Sequence, residues 1–288
     1  MSQWTHLIRF IAREDAGTYT GQLVDTSTVS SIGPGTQAYV VAGDPLGTYG
    51  ITREVKTVEK LLAPVSKESV PIVRCVGLNY AKHVAEGRAI SHVPKWPTLF
   101  IKPRTSIGDP FTPVPVPKVA QDESLDYEAE MCLVIKKDAL NVPSSGDEWK
   151  EYVAGYMCGD DISWRKAQIV PELSGTQWCM GKGLNGFAPV GPVLVSSEAI
   201  DHSKLDVSLR LNGETMQSSN TEEMVHKVRD ILAKFSEGTT LEKGTVIMTG
   251  TPDGVGFVRK PNVYLKDGDQ VEVEIEGLGI LKHAVLYE

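Results

Sequence analysis

The sequence has no CxxC pair, no basic run and no long apolar stretch. Its four cysteines, Cys75, Cys132, Cys158 and Cys179, are irregularly spaced. That spacing excludes the common zinc motifs and suits a reducing compartment, where such thiols are buried and inert. No apolar run approaches the ~18 residues that a membrane span needs, so no membrane association is expected. The opening MSQWTHLIRFIARED lacks a long apolar segment and reaches acidic residues early. No secretory signal is read there, and the expected location is cytoplasmic. Positive charge is also scarce, with a formal net charge of -8. An acidic surface repels a phosphate backbone, so nucleic acid is not expected as a partner. The glycine-rich loop Thr249–Gly256 matches neither GxxxxGK[ST] nor GxGxxG, so it is neither of the usual phosphate and dinucleotide cradles.

What remains is an ordinary globular chain. It has 288 residues, 41% hydrophobic and 23% charged, enough for one large domain or a main domain with a small one attached. Residues 1–66 read as a small β-rich unit and 67–288 as the main domain. His6–Ile11 and Thr18–Leu23 are strand candidates, and Val55–Leu62 reads as a short helix ended by Ala63-Pro64. Strands are expected at Pro71–Gly77, Leu99–Lys102, Tyr127–Ile135, Lys204–Leu211, Val246–Thr249, Gln270–Ile275 and Leu281–Leu286. Asn212-Gly213 favours a hairpin turn. Helices are expected at Tyr80–Glu86 and at Glu222–Ser236, where Met224, Val228, Ile231, Leu232 and Phe235 build one apolar face. Regular βα alternation is absent, so the reading is a mixed-sheet, β-rich α+β fold.

Four segments could carry chemistry. In Asp126-Tyr-Glu128-Ala-Glu130, alternate side chains of a strand share a face about 6.5–7 Å apart, so three carboxylates crowd one side. A hard divalent cation, Mg²⁺ or Mn²⁺, would relieve their repulsion; the alternative is a solvated strand face. Asp160-Asp161 could complete an oxygen site or serve as an Asx turn or helix cap. Arg165 and Gln168 follow on what would be one helix face, and a planar guanidinium suits a carboxylate. His83 and Glu86 lie three apart on a short helix, the spacing of a base and its orienter, or of a surface pair. Thr249-Gly-Thr251-Pro-Asp-Gly254-Val-Gly256 could turn backbone N–H groups and a hydroxyl toward an anion, or be a tight turn only.

Taken in order, these segments resemble the fumarylacetoacetate hydrolase family. The matching stretches are Cys75-Val-Gly-Leu-Asn-Tyr80 with His83 and Glu86, Phe100-Ile-Lys-Pro103 and Asp126-Tyr-Glu-Ala-Glu130. Gly159-Asp-Asp-Ile-Ser163 follows with Arg165 and Gln168, then Gly181-Lys182, Pro189-Val-Gly-Pro192, Asn212-Gly-Glu214 and Thr249–Gly256. The resemblance implies a β-rich mixed-sheet roll, a homodimer and a Mg²⁺ or Mn²⁺ site on Glu128, Glu130 and Asp161, with Asp126 not a ligand. It places His83, Glu86 and Lys182 in catalysis, and Arg165, Gln168 and Thr251 at the substrate. It implies a small 2-oxo or 2,4-dioxo acid as substrate, by C–C bond hydrolysis of an acylpyruvate or decarboxylation of oxaloacetate. The alternatives are an isomerase or tautomerase, or a metal-binding member without catalysis. Lys182-Gly-Leu-Asn185 departs from the Lys-Ser-Phe-Asp that members often carry, which leaves substrate preference open.

Overall fold

The structure, a computed structural model, describes residues 3–87 and 93–288. The first strands are β1 (His6–Ala12), β2 (Thr18–Leu23), β3 (Gln37–Gly43) and β4 (Tyr49–Leu62). Next come β5 (Val73–Gly77), β6 (Thr98–Lys102), β7 (Ile107–Gly108), β8 (Val114–Val116) and β9 (Leu125–Asp126). The middle holds β10 (Ala129–Ile135), β11 (Val153–Asp160), β12 (Ser163–Trp164) and β13 (Ala188–Ser196). The last are β14 (Asp206–Leu211), β15 (Glu214–Asn220), β16 (Val246–Met248), β17 (Gln270–Ile275) and β18 (Gly279–Tyr287). The helices are short: α1 (Ala81–Gly87), α2 (Arg165–Ile169), α3 (Pro171–Ser174), α4 (Cys179–Lys182) and α5 (Val228–Phe235).

One large sheet runs in the order β2-β3-β4-β1-β13-β11-β10-β16-β5-β6, with β7 attached to β13. A second sheet runs β15-β14-β17-β18-β8. Both parallel and antiparallel pairs occur, so the strand-rich mixed architecture expected from the sequence is present. The central strands β10, β11 and β13 are buried at every residue. Their alternation explains why. Met131, Leu133 and Ile135 enter one apolar core, whereas Cys132 and Val134 enter another on the opposite face. Each such aliphatic side chain contributes about 1.5–3 kcal/mol on burial. Replacing Leu133 by Ala would cost about 2–5 kcal/mol. β1 pairs with β13 through His6↔Val195 and Leu7↔Leu194, so the first strands extend the central sheet.

Three expectations need correction. Val55–Leu62 is not a helix but the end of β4. Its apolar residues lose strict alternation because β4 changes partner, from β3 up to Thr57 to β1 from Val58, with a register shift in each ladder. The helix expected over Glu222–Ser236 is confined to Val228–Phe235. Ahead of it, Met224 bridges to Tyr80, and Asn79 takes the N–H of Val225 on its backbone oxygen and that of His226 on its side chain. Those bonds hold the chain out of the helical ladder. The strand expected over Tyr127–Ile135 starts only at Ala129. Asp126 stands in a separate short strand, where its carboxylate accepts the N–H groups of Tyr127, Gly256 and Phe257.

Candidate active site

The pairing of β10 with β11 matches Ala129 to Asp160 and Glu130 to Gly159. That register brings the start of β10 against the end of β11. Glu128, Glu130 and Asp161 consequently meet, each offering an oxygen within 4.8 Å of the others. All three are buried, and Asp126 is not part of the group.

Buried charge is tolerable only where it is paired. Lys182 Nζ lies 2.8 Å from Glu128 Oε2 and 2.7 Å from Asp161 Oδ2. Lys102 Nζ lies 2.6 Å from Asp161 Oδ1 and donates to the carbonyls of Ile162, Lys182 and Phe187. Arg165 bonds Asp126 through Nε at 2.8 Å and Gln168 through a terminal nitrogen at 2.8 Å. Its other terminal nitrogen is 2.7 Å from Glu128 Oε1. Glu130 has a backbone donor, Gly250 N–H at 2.7 Å.

Four buried carboxylates thus face three buried cations, and one negative charge is left over. Burial, followed by repulsion from Asp161 and Glu128, pushes the Glu130 carboxyl well above its usual range. Burial raises Asp161 too, against the pull of Lys102 and Lys182. Burial works against ionised Glu128 as well, but there Lys182 and Arg165 win and hold the carboxyl low. A hard cation fits this oxygen set, since it would replace the missing positive charge. Asp161 Oδ1 makes no hydrogen bond, only the ion pair with Lys102, and so keeps acceptor capacity.

The glycine-rich loop after β16 turns its N–H groups toward anions, and these anions are the protein's own carboxylates. Gly250 donates to Glu130, Gly254 to Glu86 at 2.9 Å, and Gly256 to Asp126 at 2.8 Å. Glu86 spends its other oxygen on His83, with Nδ1 at 2.8 Å. With Nδ1 committed, Nε2 is the ring nitrogen that a ligand would meet. Upstream, Leu78 adopts a left-handed φ of 60°, a conformation that costs a non-glycine residue about 1–2 kcal/mol. Asn79 holds that turn by donating to the carbonyls of Thr249 and His226.

A cavity of about 340 Å³ joins these parts. His83, Glu128, Arg165, Gln168, Lys182 and Thr251 all line it. Glu130 and Asp161 are not in that lining; Asp161 lies against Lys182 and Glu130 beside Asp161, while Glu86 stands behind His83. Thr251 accepts from Gln217 at 2.8 Å, so its hydroxyl hydrogen is left to donate.

The description "Fumarylacetoacetate (FAA) hydrolase C-terminal" matches residues 72–286. The chain belongs to the fumarylacetoacetate hydrolase family. It is 39% identical over 298 residues to the caffeoylpyruvate hydrolase of Neonothopanus nambi, covering 100% of this chain and 95% of that protein. It is 42% identical over 226 residues to the mitochondrial oxaloacetate tautomerase Fahd2a of Rattus norvegicus, covering 78% of this chain and 69% of that one. Among solved structures it resembles 2-hydroxyhepta-2,4-diene-1,7-dioate isomerase from Mycobacterium marinum. The TM-score is 0.80 at 30% identity, over 99% of each chain.

Within this fumarylacetoacetate hydrolase fold, the departure at Gly183 and Asn185 lies just after Lys182 but outside the cavity lining, and Asn185 is exposed. A Cβ at Gly183 would meet the Cys179 carbonyl at 2.7 Å, so the close packing of α4 favours glycine there.

Three residues around the site, Lys102, Gln217 and His283, were not singled out from the sequence. Lys102 appeared there only as part of Phe100-Ile-Lys-Pro103, yet it is buried among three carbonyls and Asp161. A lysine inside an apolar strand is a signal that could have marked it. Asp160 accepts Glu128 N–H at 2.8 Å and pairs with His283 at 2.8 Å. Gln217 ties Ala129 N–H to Thr251. Gln217 and His283 come from distant strands, and nothing local in the sequence points to them.

Proposed function

We propose that this chain is a Mg²⁺- or Mn²⁺-dependent enzyme that cleaves a C–C bond in an acylpyruvate-like 2,4-dioxo acid. The observation that supports this most is one cavity bordered by His83 with its Glu86 partner and by Glu128 of the carboxylate trio. The caffeoylpyruvate hydrolase is similar along the whole chain, which favours the acylpyruvate reading.

Glu128, Glu130 and Asp161 would hold the cation. When bound, it supplies Lewis-acid stabilisation of charge that develops on the oxygens of the 2-oxo acid. The side chains do the rest. Glu86 fixes the ring of His83, whose Nε2 takes a proton from water. The water oxygen adds to the acyl carbonyl carbon, and Lys182 and Thr251 donate to the oxygen that gains charge. The C–C bond then breaks, its electron pair passes to the 2-oxo-acid fragment, and that fragment is protonated as it leaves. Gln168 and Arg165 orient the acid head group.

The test is incubation with Mg²⁺ and acetylpyruvate, following loss of the enol absorbance and identifying products. Pyruvate and acetate in equal amounts support hydrolysis. Loss of absorbance without new carbon fragments supports a second reading, an oxaloacetate-type tautomerase or isomerase, which similarity to the rat tautomerase favours. Carbon dioxide from oxaloacetate would mark the related decarboxylation.

The further expectations stand as proposals on the same footing. Residues 67–288 would form the catalytic domain and 1–66 an accessory one. A homodimer would cover Leu99 and Ile101 on edge strand β6 together with Met180, all exposed apolar residues. No described helix is long and apolar enough to cross a membrane.

A further inference from the structure

We propose that Trp178 is a specificity-determining residue, the platform for the substrate's acyl group, and that this group is planar and apolar rather than a second carboxylate. The inference rests on the acylpyruvate reading above and adds the part of the substrate farthest from the carboxylate trio.

The cavity lining is of two chemical kinds. His83, Glu128, Arg165, Gln168, Lys182 and Thr251 are its polar residues. Leu78, Val84, Phe100, Ile169, Trp178 and Phe257 give it apolar surface, half of these residues aromatic, with Phe100 against Lys182 and Phe257 against Arg165. Its volume of about 340 Å³ falls in the range that suits ligands well beyond a four-carbon acid. Among the described residues that line the cavity, both the lysine and the arginine already face carboxylates. Arg165 is held by Asp126 and Glu128 and Lys182 by Glu128 and Asp161, while the His83 ring is engaged by Glu86. A second substrate carboxylate against these apolar residues would lose its water without gaining a cationic partner among the described residues.

Trp178 is built into this apolar surface. Its ring meets Phe100 edge-on, with centroids 5.5 Å apart at 61°. It also lies against the end of β5, where a Cβ on Gly77 would fall 2.3 Å from Cζ3 and 2.9 Å from Cη2. Glycine at position 77 is what admits the indole. The platform is tied to the polar residues as well, because Lys182 N–H donates to the Trp178 carbonyl at 3.1 Å. The indole is half-buried, as a surface that receives a ligand must be.

The experiment compares benzoylpyruvate, acetylpyruvate and fumarylpyruvate on the Mn²⁺-loaded protein and its Trp178→Ala and Trp178→Phe variants. The wild type should have its highest kcat/KM on benzoylpyruvate. The benzoyl-to-acetyl ratio should fall about 10–100-fold in Trp178→Ala, through KM, and largely recover in Trp178→Phe. A wild-type preference for fumarylpyruvate, or an unchanged ratio in Trp178→Ala, overturns the proposal. Calorimetry with phenylpyruvate and pyruvate separates this from the hydrolase reading, since it needs no turnover. Tighter binding of phenylpyruvate, lost in Trp178→Ala, sustains the platform even if no substrate is cleaved. Equal affinities for the two acids overturn the platform even if acetylpyruvate is cleaved.

Discussion

His83 Nδ1 and Glu86 Oε1 are 2.8 Å apart on one face of α1, and the second Glu86 oxygen is anchored by Gly254 N–H. The histidine is thus aimed by a carboxylate that is itself fixed to the glycine-rich loop. His83→Ala should lower kcat by ~10²–10⁴, the range for a lost acid–base group, and leave cation affinity almost intact. Steady-state kinetics with calorimetric Mn²⁺ titration checks both. Wild-type turnover in the variant removes His83 from catalysis.

The excess negative charge predicts a pH effect on cation binding. Burial and then Asp161 and Glu128 raise the Glu130 carboxyl well above its usual range, so the metal-free folded chain holds a proton there to higher pH than an ordinary carboxyl would. The unfolded chain releases that proton near pH ~4.3. The folded state therefore binds more protons, and this contribution to stability falls as pH rises through the folded value. Bound cation displaces the proton, so affinity should climb by about one log unit per pH unit while Glu130 is protonated. Mn²⁺ calorimetry in buffers of different ionisation heat should show proton release. Binding that is independent of pH and buffer contradicts the assignment.

Arg165 is buried and its guanidinium serves Asp126, Glu128 and Gln168. Arg165→Ala leaves two carboxylates short of a cation, which costs about 3–5 kcal/mol when a buried pair loses one partner. Thermal unfolding should show a clear drop in Tm beside any rise in KM. An unchanged Tm with a raised KM would mean that Arg165 serves substrate alone.

Cysteine reactivity should be uneven. Burial pushes the Cys158 thiol up to about 12 and raises Cys75 and Cys132 as well, and all three are buried. Cys179 is the partly exposed one. An aromatic disulfide reagent should modify one thiol in the native protein and four after denaturation. Rapid loss of several thiols in the native state contradicts this packing.

The sequence was most legible where chemistry is local. Glu128 and Glu130 lie two apart, His83 and Glu86 three apart, and the structure brings each pair together. Gln270–Ile275 and Thr18–Leu23 are strands over the spans that their residues indicate. Local pattern misled where a distant partner intervened. Asn79 pulls Met224–His226 out of the amphipathic helix that their spacing suggests. Phe257 and Gly256 draw Asp126 away from the carboxylates that its alternation suggests. The lysine shell shows the same limit, since Lys102 meets Asp161 only through the sheet order.

The most direct test of the central claim is calorimetric titration of oxalate into the protein with and without Mn²⁺, for wild type and Glu130→Ala. Oxalate copies two adjacent oxygens of a 2-oxo-acid head group, so its binding reports the site without turnover. Oxalate should bind the wild type only with Mn²⁺ and compete with the dioxo-acid substrate, and both Mn²⁺ and oxalate should bind Glu130→Ala much more weakly. Oxalate that fails to bind the Mn²⁺-loaded wild type, or Mn²⁺ affinity unchanged in Glu130→Ala, would contradict that claim.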